Sequence, residues 1–276
     1  SVFFEGGKKQ VEKNGKPLAD RKELVNTIPC VLYSHEDLAF VDGEPERRRF
    51  FLDQTLAMHH VLYIDTARHY RKALRHKNIC LKNHDWELLP VYDEQLAATG
   101  AEVQNRRRTA VTGFTRIFSP LYEQVTGIGG VNLVYRPSWP SEGDITPEAA
   151  LGILESRREG DIQFGVSCSG PHRDKIIFAR EGENFVPTAS TGQRRVAAIL
   201  LRTAQALFYA RSCGKNPVLL LDDVLLELDP EKRRRITALL PDYDQLFYTF
   251  LPEEPFERYR KETTKGYTLR NGRCYG

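Results

Sequence analysis

Two carboxylates stand where an apolar run stops: Val218-Leu219-Leu220-Leu221 leads directly into Asp222-Asp223. A short continuous apolar run suits a central parallel strand buried on both faces. Open α/β sheets bind ligands beyond the carboxyl ends of such strands. Upstream lies Ser190-Thr191-Gly192-Gln193-Arg194-Arg195. It precedes Val196, Ile199, Leu200, Thr203, Leu207 and Ala210, spaced as one helix face, with Gly214 as the stop. Ser190 or Thr191 can cap this helix, Gly192 lets a backbone approach closely, and the free N–H groups of the first turn make an anion site. Each segment also has a plain reading, as a strand entering an acidic turn and as an ordinary capped core helix. The order favours chemistry: capped helix, short loop, strand, Asp222-Asp223, then Leu228-Asp229.

In P-loop nucleotidases the acid at the end of such a strand anchors Mg²⁺, and the next can orient or activate the attacking water. Ser190 to Gln193 resembles the signature motif of ABC-type ATPases, Leu221-Asp222-Asp223 their Walker B, and Leu228-Asp229 their D-loop. More narrowly, the chain resembles the RecF family of bacterial recombination-repair proteins, related to Rad50 and SMC heads. The phrases that carry this are Ser34 to Leu38, Arg47 to Asp53, Gly170-Pro171-His172-Arg173-Asp174, Ser190 to Arg195 and Leu221 to Asp229. They follow the family order and cover nearly the whole chain. The family usually has Pro where His35 stands and Asp where Lys175 stands.

The resemblance implies an α/β P-loop NTPase core of the ABC/SMC head type with an inserted antiparallel helical arm. It implies ATP and Mg²⁺ as cofactors, with Asp222 holding the metal and Asp223 positioning the hydrolytic water. Ser190, Thr191, Gly192, Gln193 and Asp229 would meet the nucleotide across an ATP-dependent homodimer. DNA at gaps or strand junctions, RecR, RecO and RecA are the implied partners, in the cytoplasm. No Gly-x-x-x-x-Gly-Lys-Ser/Thr occurs in the sequence. The family carries that motif ahead of the first residue here. The expectation is therefore a chain lacking its N-terminal portion and half of the ATP site, with weak hydrolysis in the complete protein and none in this piece.

At 276 residues with 41% hydrophobic side chains, the chain can bury a substantial core as one large domain or two lobes. A net charge of +3 is too mild to argue for a nucleic-acid partner. Five scattered cysteines without a C-x-x-C fit a reduced cytosol better than a disulfide scaffold or zinc site. No stretch approaches the eighteen or so apolar residues of a membrane span.

Residues 1–42 read as strands and turns, the remainder of an N-terminal ATPase lobe. Ile28 to Tyr33 is one strand, ending at Ser34 to Leu38 where ABC heads have their Q-loop. Glu36 or Asp37 could sense nucleotide there, but capping of a short helical turn is the stronger reading. Residues 43–160 read as the arm. Leu52, Leu56, Tyr63, Ala67, Tyr70 and Leu74 mark one long helix, and Leu96, Val103, Ala110, Phe114 and Ile117 a second. The short link between them makes an antiparallel hairpin. Residues 44 to 84 hold nine Lys/Arg against four acids. A basic helix face can neutralise phosphates without reading sequence, which makes Arg47, Arg48, Arg71, Lys72 and Arg75 candidate DNA contacts. Arg47 to Arg49 could instead pack between lobes, since three neighbours on a helix cannot share a face.

Residues 161–276 read as the C-terminal part of the head. Asp161 to Val166 and Lys175 to Ala179 look strand-like and flank Gly170 to Asp174, to which no role is assigned. Asp229 and Pro230 open a helix as N-cap and N1. The strand Gln245 to Thr249 ends where many ABC proteins place a phosphate-sensing histidine, and Thr249 there implies slow hydrolysis. Tyr267 to Tyr275 reads as a closing hairpin around Asn271-Gly272. A competing reading is a DNA-binding or scaffolding module without catalysis. A nuclease built on Asp222, Asp223, Glu227 and Asp229 is disfavoured, because a strand followed by a helix cap spreads those acids apart.

Overall fold

The computed structural model describes residues 2–18, 20, 22–225, 228–250 and 262–275. The chain begins with an antiparallel meander, β1 (Val2–Glu5), β2 (Lys8–Lys13) and β3 (Lys16–Pro17). Its two-residue turns, Gly6-Gly7 and Asn14-Gly15, have positive φ at both positions, as tight hairpin loops require. After α1 (Lys22–Thr27) comes β4 (Cys30–Tyr33) and a 3₁₀ turn at His35–Phe40.

The arm follows. Glu44 precedes α2 (Pro45–His59), with Pro45 in the first turn. The single long helix expected from Leu52 to Leu74 is in fact two, because His60 leaves helical geometry (φ −132°, ψ 84°) before α3 (Val61–Asn83). The His60 ring lies 2.6 Å from an Arg106 guanidinium nitrogen, which anchors the break to the opposite helix. The spacing argument survives the break: Leu52, Leu56, Tyr63, Ala67 and Tyr70 are all buried. His84, left-handed at φ 63°, ends α3, and a 3₁₀ turn at Trp86–Leu88 leads into α4 (Leu89–Thr126). At 38 residues, α4 spans roughly 57 Å. It runs antiparallel to α3, since His60 meets Arg106 while Lys77 meets Asp93.

Past Gly127, β5 (Asn132–Arg136) leads to α5 (Pro147–Ser156), which Thr146 caps by accepting from the Ala149 N–H at 3.2 Å. The strand expected at Asp161 to Val166 is instead part of a helix, α6 (Arg158–Phe164). The cause is Asp161, which is fully buried, 2.7 Å from Lys77, and accepts the Cys168 N–H at 2.8 Å. These tertiary contacts outweigh a short apolar alternation. A 3₁₀ turn (Pro171–Arg173) precedes β6 (Lys175–Arg180) and β7 (Glu183–Asn184), which form an antiparallel sheet with β5 in the order β5-β6-β7.

A 3₁₀ turn at Val186–Thr188 then feeds α7 (Thr191–Cys213), closed by Gly214 in the left-handed region as expected. β8 (Val218–Asp222), α8 (Pro230–Ala238) and β9 (Gln245–Thr249) follow, and the hairpin β10 (Thr268–Arg270) and β11 (Arg273–Tyr275) turns at Asn271-Gly272. β4, β8 and β9 form a parallel sheet with β8 in the centre. Val31, Tyr33, Leu219 and Leu221 are buried on one face, where the Tyr33 hydroxyl approaches Thr203 of α7 at 3.5 Å. On the other face Leu32 and Phe247 remain 45% and 51% exposed.

The arm meets the loop before α5 where Gly100 leaves room for Trp139. A Cβ at Gly100 would lie 2.6 Å from the Trp139 ring and 3.0 Å from Tyr70. Gly100→Ala is expected to lower stability by about 1–3 kcal/mol through overpacking. Gly152→Ala, in α5 with nothing within 4 Å of the added carbon, should be neutral or gain up to about 1 kcal/mol. Urea unfolding midpoints of the two variants check the contrast.

Candidate functional site

The parallel sheet delivers three side chains to its carboxyl edge. Asp222 is the last residue of β8, pairs with Thr249 of β9, and is followed by Asp223 in a left-handed conformation at φ 53°. The Thr249 Oγ1 lies 2.9 Å from Asp222 Oδ1 and 3.1 Å from Asp223 Oδ1, and accepts the Asp223 N–H at 3.2 Å. Asp222 is exposed and Asp223 half-buried. Hard carboxylate oxygens at a solvent edge fit Mg²⁺, which binds through one or two carboxylates while keeping several waters.

Ser190 and Gln193 form a reciprocal capping box at the start of α7. Ser190 Oγ accepts the Gln193 N–H at 3.2 Å, and Gln193 Oε1 accepts the Ser190 N–H at 2.7 Å. That leaves the N–H groups of Thr191 and Gly192 at the helix mouth, where Gly192 faces open space. Asp229 does cap α8, accepting the Lys232 N–H at 2.9 Å with the Lys232 ammonium 2.6 Å away. Its carboxylate is thereby turned toward its own helix. Glu227 lies outside the described residues. Asp37 also caps: it is buried, accepts the Ser34 N–H at 2.9 Å, and pairs with Arg202 at 2.7 Å. Glu36 is exposed.

The basic candidates separate. Arg48 donates to the carbonyls of Val41 and Gly43 at 2.9 Å each, bracing the turn before α2, and Arg49 donates to the Asp174 carbonyl at 2.9 Å. Packing between elements is therefore the role of these two. Arg47, Lys72 and Arg75 are exposed, as is Arg71, which lies 3.8 Å from Asp53.

Sequence reasoning missed Arg107. Its guanidinium grips Asp53 at 2.9 and 3.1 Å, Asp174 at 2.9 Å and the Pro171 carbonyl at 2.6 Å. Asp53 also accepts the Tyr63 hydroxyl at 2.5 Å, and Asp174 accepts the Tyr135 hydroxyl and the Ser138 N–H. Burial alone would depress the Arg107 pKa, but the two carboxylates outweigh it and hold the guanidinium well above its ordinary value. The signal was available. Position 107 falls in the stripe of Val103, Ala110 and Phe114, so its side chain had to point into the core.

His172 completes this cluster. Its Nε2 faces the Ser167 carbonyl at 3.0 Å, which can only accept, so Nε2 carries the proton. Nδ1 then accepts the Tyr70 hydroxyl at 2.7 Å. Burial pushes the imidazole pKa down to about 4. These contacts are internal and hold the Gly170 to Asp174 segment in place.

A parallel sheet with paired carboxylates at its carboxyl edge, a capped Ser-Thr-Gly-Gln helix mouth and an inserted helical hairpin together make a fold of the ABC/SMC head class. A solved structure of the recombination mediator protein RecF–ATP in the RecFOR pathway shares this fold. It has a TM-score of 0.83 at 24% identity, covering 98% of this chain and 73% of that one. Among curated proteins, the DNA replication and repair protein RecF of Treponema pallidum (strain Nichols) is 47% identical over 274 residues, 99% of this chain and 77% of that protein. The protein of the same name from Microcystis aeruginosa is 30% identical over 289 residues, again 99% and 77%. No protein-family model matches the chain. The chain belongs to the RecF family.

The His172 shift sets a pH dependence. The folded pKa lies below that of the unfolded chain, so the unfolded state takes up the proton first. Stability from this site is complete above the unfolded value and is lost as pH falls from 6.5 toward 4. The loss is expected to be at most about 3 kcal/mol. Urea unfolding at about pH 7.5 and about pH 5 checks it, with His172→Gln showing a shallower loss.

Proposed function

We propose that this chain is the signature and Walker B portion of an ATP-dependent DNA-binding protein acting in recombinational repair and replication restart. The observation that carries the reading is the juxtaposition of Asp222, Asp223 and Thr249 at the carboxyl edge of the parallel sheet. The names of the relatives, DNA replication and repair proteins, and the ATP named for the structural neighbour support it. Residues 1–42 and 161–276 form the head in this reading, and residues 43–160 the arm.

When bound, Mg²⁺ supplies charge neutralisation for the nucleotide phosphates. Asp222 would hold the ion through its water shell, and Asp223 would orient the hydrolytic water. Ser190, Thr191, Gly192 and Gln193 would present a helix mouth to the nucleotide on a second copy, an arrangement suited to charge developing on phosphate. Asp229 would lie along the same interface. No P-loop occurs among the 276 residues, which in this reading supply the Walker B and signature sides of the site. ATP binding then favours the homodimer, hydrolysis releases it, and Thr249 in place of a histidine keeps turnover slow. The dimer clamps gapped DNA and, with RecR and RecO, assists RecA loading in the cytoplasm. Among the described residues no helix is long and apolar enough to cross a membrane.

Arg47, Arg71, Lys72 and Arg75 are the phosphate contacts of this reading. Arg71→Glu with Arg75→Glu is expected to weaken DNA binding at least tenfold, roughly uniformly across sequences, and to reduce the salt slope by about 2. Fluorescence anisotropy at several salt concentrations measures both. In a form of the protein carrying a P-loop, Ser190→Arg should abolish ATP-dependent dimerisation by sedimentation while leaving the circular dichroism spectrum unchanged. Normal dimerisation of that variant contradicts the assignment. The missing P-loop also favours a second reading, a non-catalytic DNA-binding scaffold. Unchanged ATP turnover in Asp223→Asn would support that alternative.

A further inference from the structure

Thr249 offers one hydroxyl proton to more acceptors than it can serve. Asp222 Oδ1 lies at 2.9 Å, Asp223 Oδ1 at 3.1 Å and the Leu221 carbonyl at 3.5 Å, while the Asp223 N–H donates to the same oxygen at 3.2 Å. The backbone donor fixes where the hydroxyl oxygen sits. It also ties down the Asp223 backbone in its left-handed conformation, which non-glycine residues seldom adopt. A single hydroxyl proton serves one carboxylate at a time, and Asp222 Oδ1 is the nearer of the two acceptors. One oxygen of Asp222 is thereby tied to β9, and its orientation relative to the sheet edge is set. Asp223, which receives no proton from Thr249 in that arrangement, keeps its acceptor capacity for a water.

We propose that Thr249 is the positioning residue of the acid pair. Its hydroxyl orients Asp222 toward a divalent cation and divides the labour of two adjacent carboxylates, one for the cation and one for water. The inference rests on the cation reading of Asp222 given above. A neighbour that orients the carboxylate gripping the cation's water shell acts on cation affinity itself, and removing an orienting partner of this kind typically weakens binding by about 10–100-fold. The hydroxyl, not the shape of the side chain, carries the effect. Serine should therefore substitute for Thr249 and valine, its near-isostere, should not.

The test uses Mn²⁺ alone as the probe, titrated into the form of the protein that carries a P-loop and followed by electron paramagnetic resonance of the free ion. Thr249→Val is expected to bind Mn²⁺ at least tenfold more weakly than the wild type, and Thr249→Ser within about threefold of it. The Asp223 amide resonance, recorded by nitrogen-15 NMR without cation, should move in the valine variant and stay in place in the serine variant. Equal Mn²⁺ affinity in wild type and Thr249→Val overturns the role of Thr249, and so does a serine variant as weak as the valine one. Asp222→Asn separates this failure from failure of the underlying reading. If Asp222→Asn binds Mn²⁺ as well as the wild type, or the wild type binds none, the cation reading falls and Thr249 loses its role with it. If Asp222→Asn loses binding while Thr249→Val does not, only the positioning role is wrong.

Discussion

One buried guanidinium joins parts of the chain that are far apart in sequence. Arg107, in the middle of α4, holds Asp53 of α2 and Asp174 at the edge of β6, which lie 54 and 67 residues away. A bidentate hold on one carboxylate and a second carboxylate beside it leave little rotational freedom. An ion pair at this depth contributes little net stability against a well-packed apolar alternative, but loss of one partner strands the other charge at a cost of about 3–5 kcal/mol. The network therefore fixes how the arm sits on the β5-β6-β7 sheet. Tyr63, Tyr135 and the Ser138 N–H use the remaining acceptor capacity of the two acids.

Two further buried cations repeat the device. Lys77, fully buried, lies 2.7 Å from both Asp93 and Asp161, and Arg158 balances the extra negative charge at 3.0 Å from Asp93. This ties α6 to the distal half of the arm. Arg202 of α7 reaches Asp37, Gln54 and Gln205, with Gln205 donating in turn to Thr55. That second network links the helix carrying Ser190 to the 3₁₀ turn after β4 and to α2. α7, the arm and the sheet edge thus share one framework. The open face of the parallel sheet contrasts with it: Leu32 and Phe247 lie exposed where parallel sheets are ordinarily covered.

The elements whose local chemistry agrees with their surroundings were legible in the sequence. The strand ending at Asp222, the caps at Ser190, Thr146 and Asp229, and the hairpin at Asn271-Gly272 all rest on short-range rules. So did the family, because its phrases are contiguous. What was not legible depended on partners distant in sequence. Asp161 adopts a helix because Lys77 and the Cys168 N–H capture its carboxylate, which an alternating apolar pattern cannot reveal. Arg48 looked like a surface cation until two backbone carbonyls took its donors. Gly170 to Asp174 had no role by sequence because its partners, Arg107, Tyr70 and Tyr135, lie on other elements.

The joint at Arg107 is most directly tested by hydrogen–deuterium exchange on Arg107→Met, which keeps bulk and removes charge. If the guanidinium fixes the arm on the sheet, protection should fall together in α2, in residues 170–174 and in β5 and β6. The distal arm around Lys77 should keep its protection. Loss of protection confined to α4 near residue 107 would contradict the account, because Asp53 and Asp174 would then be held in place without it.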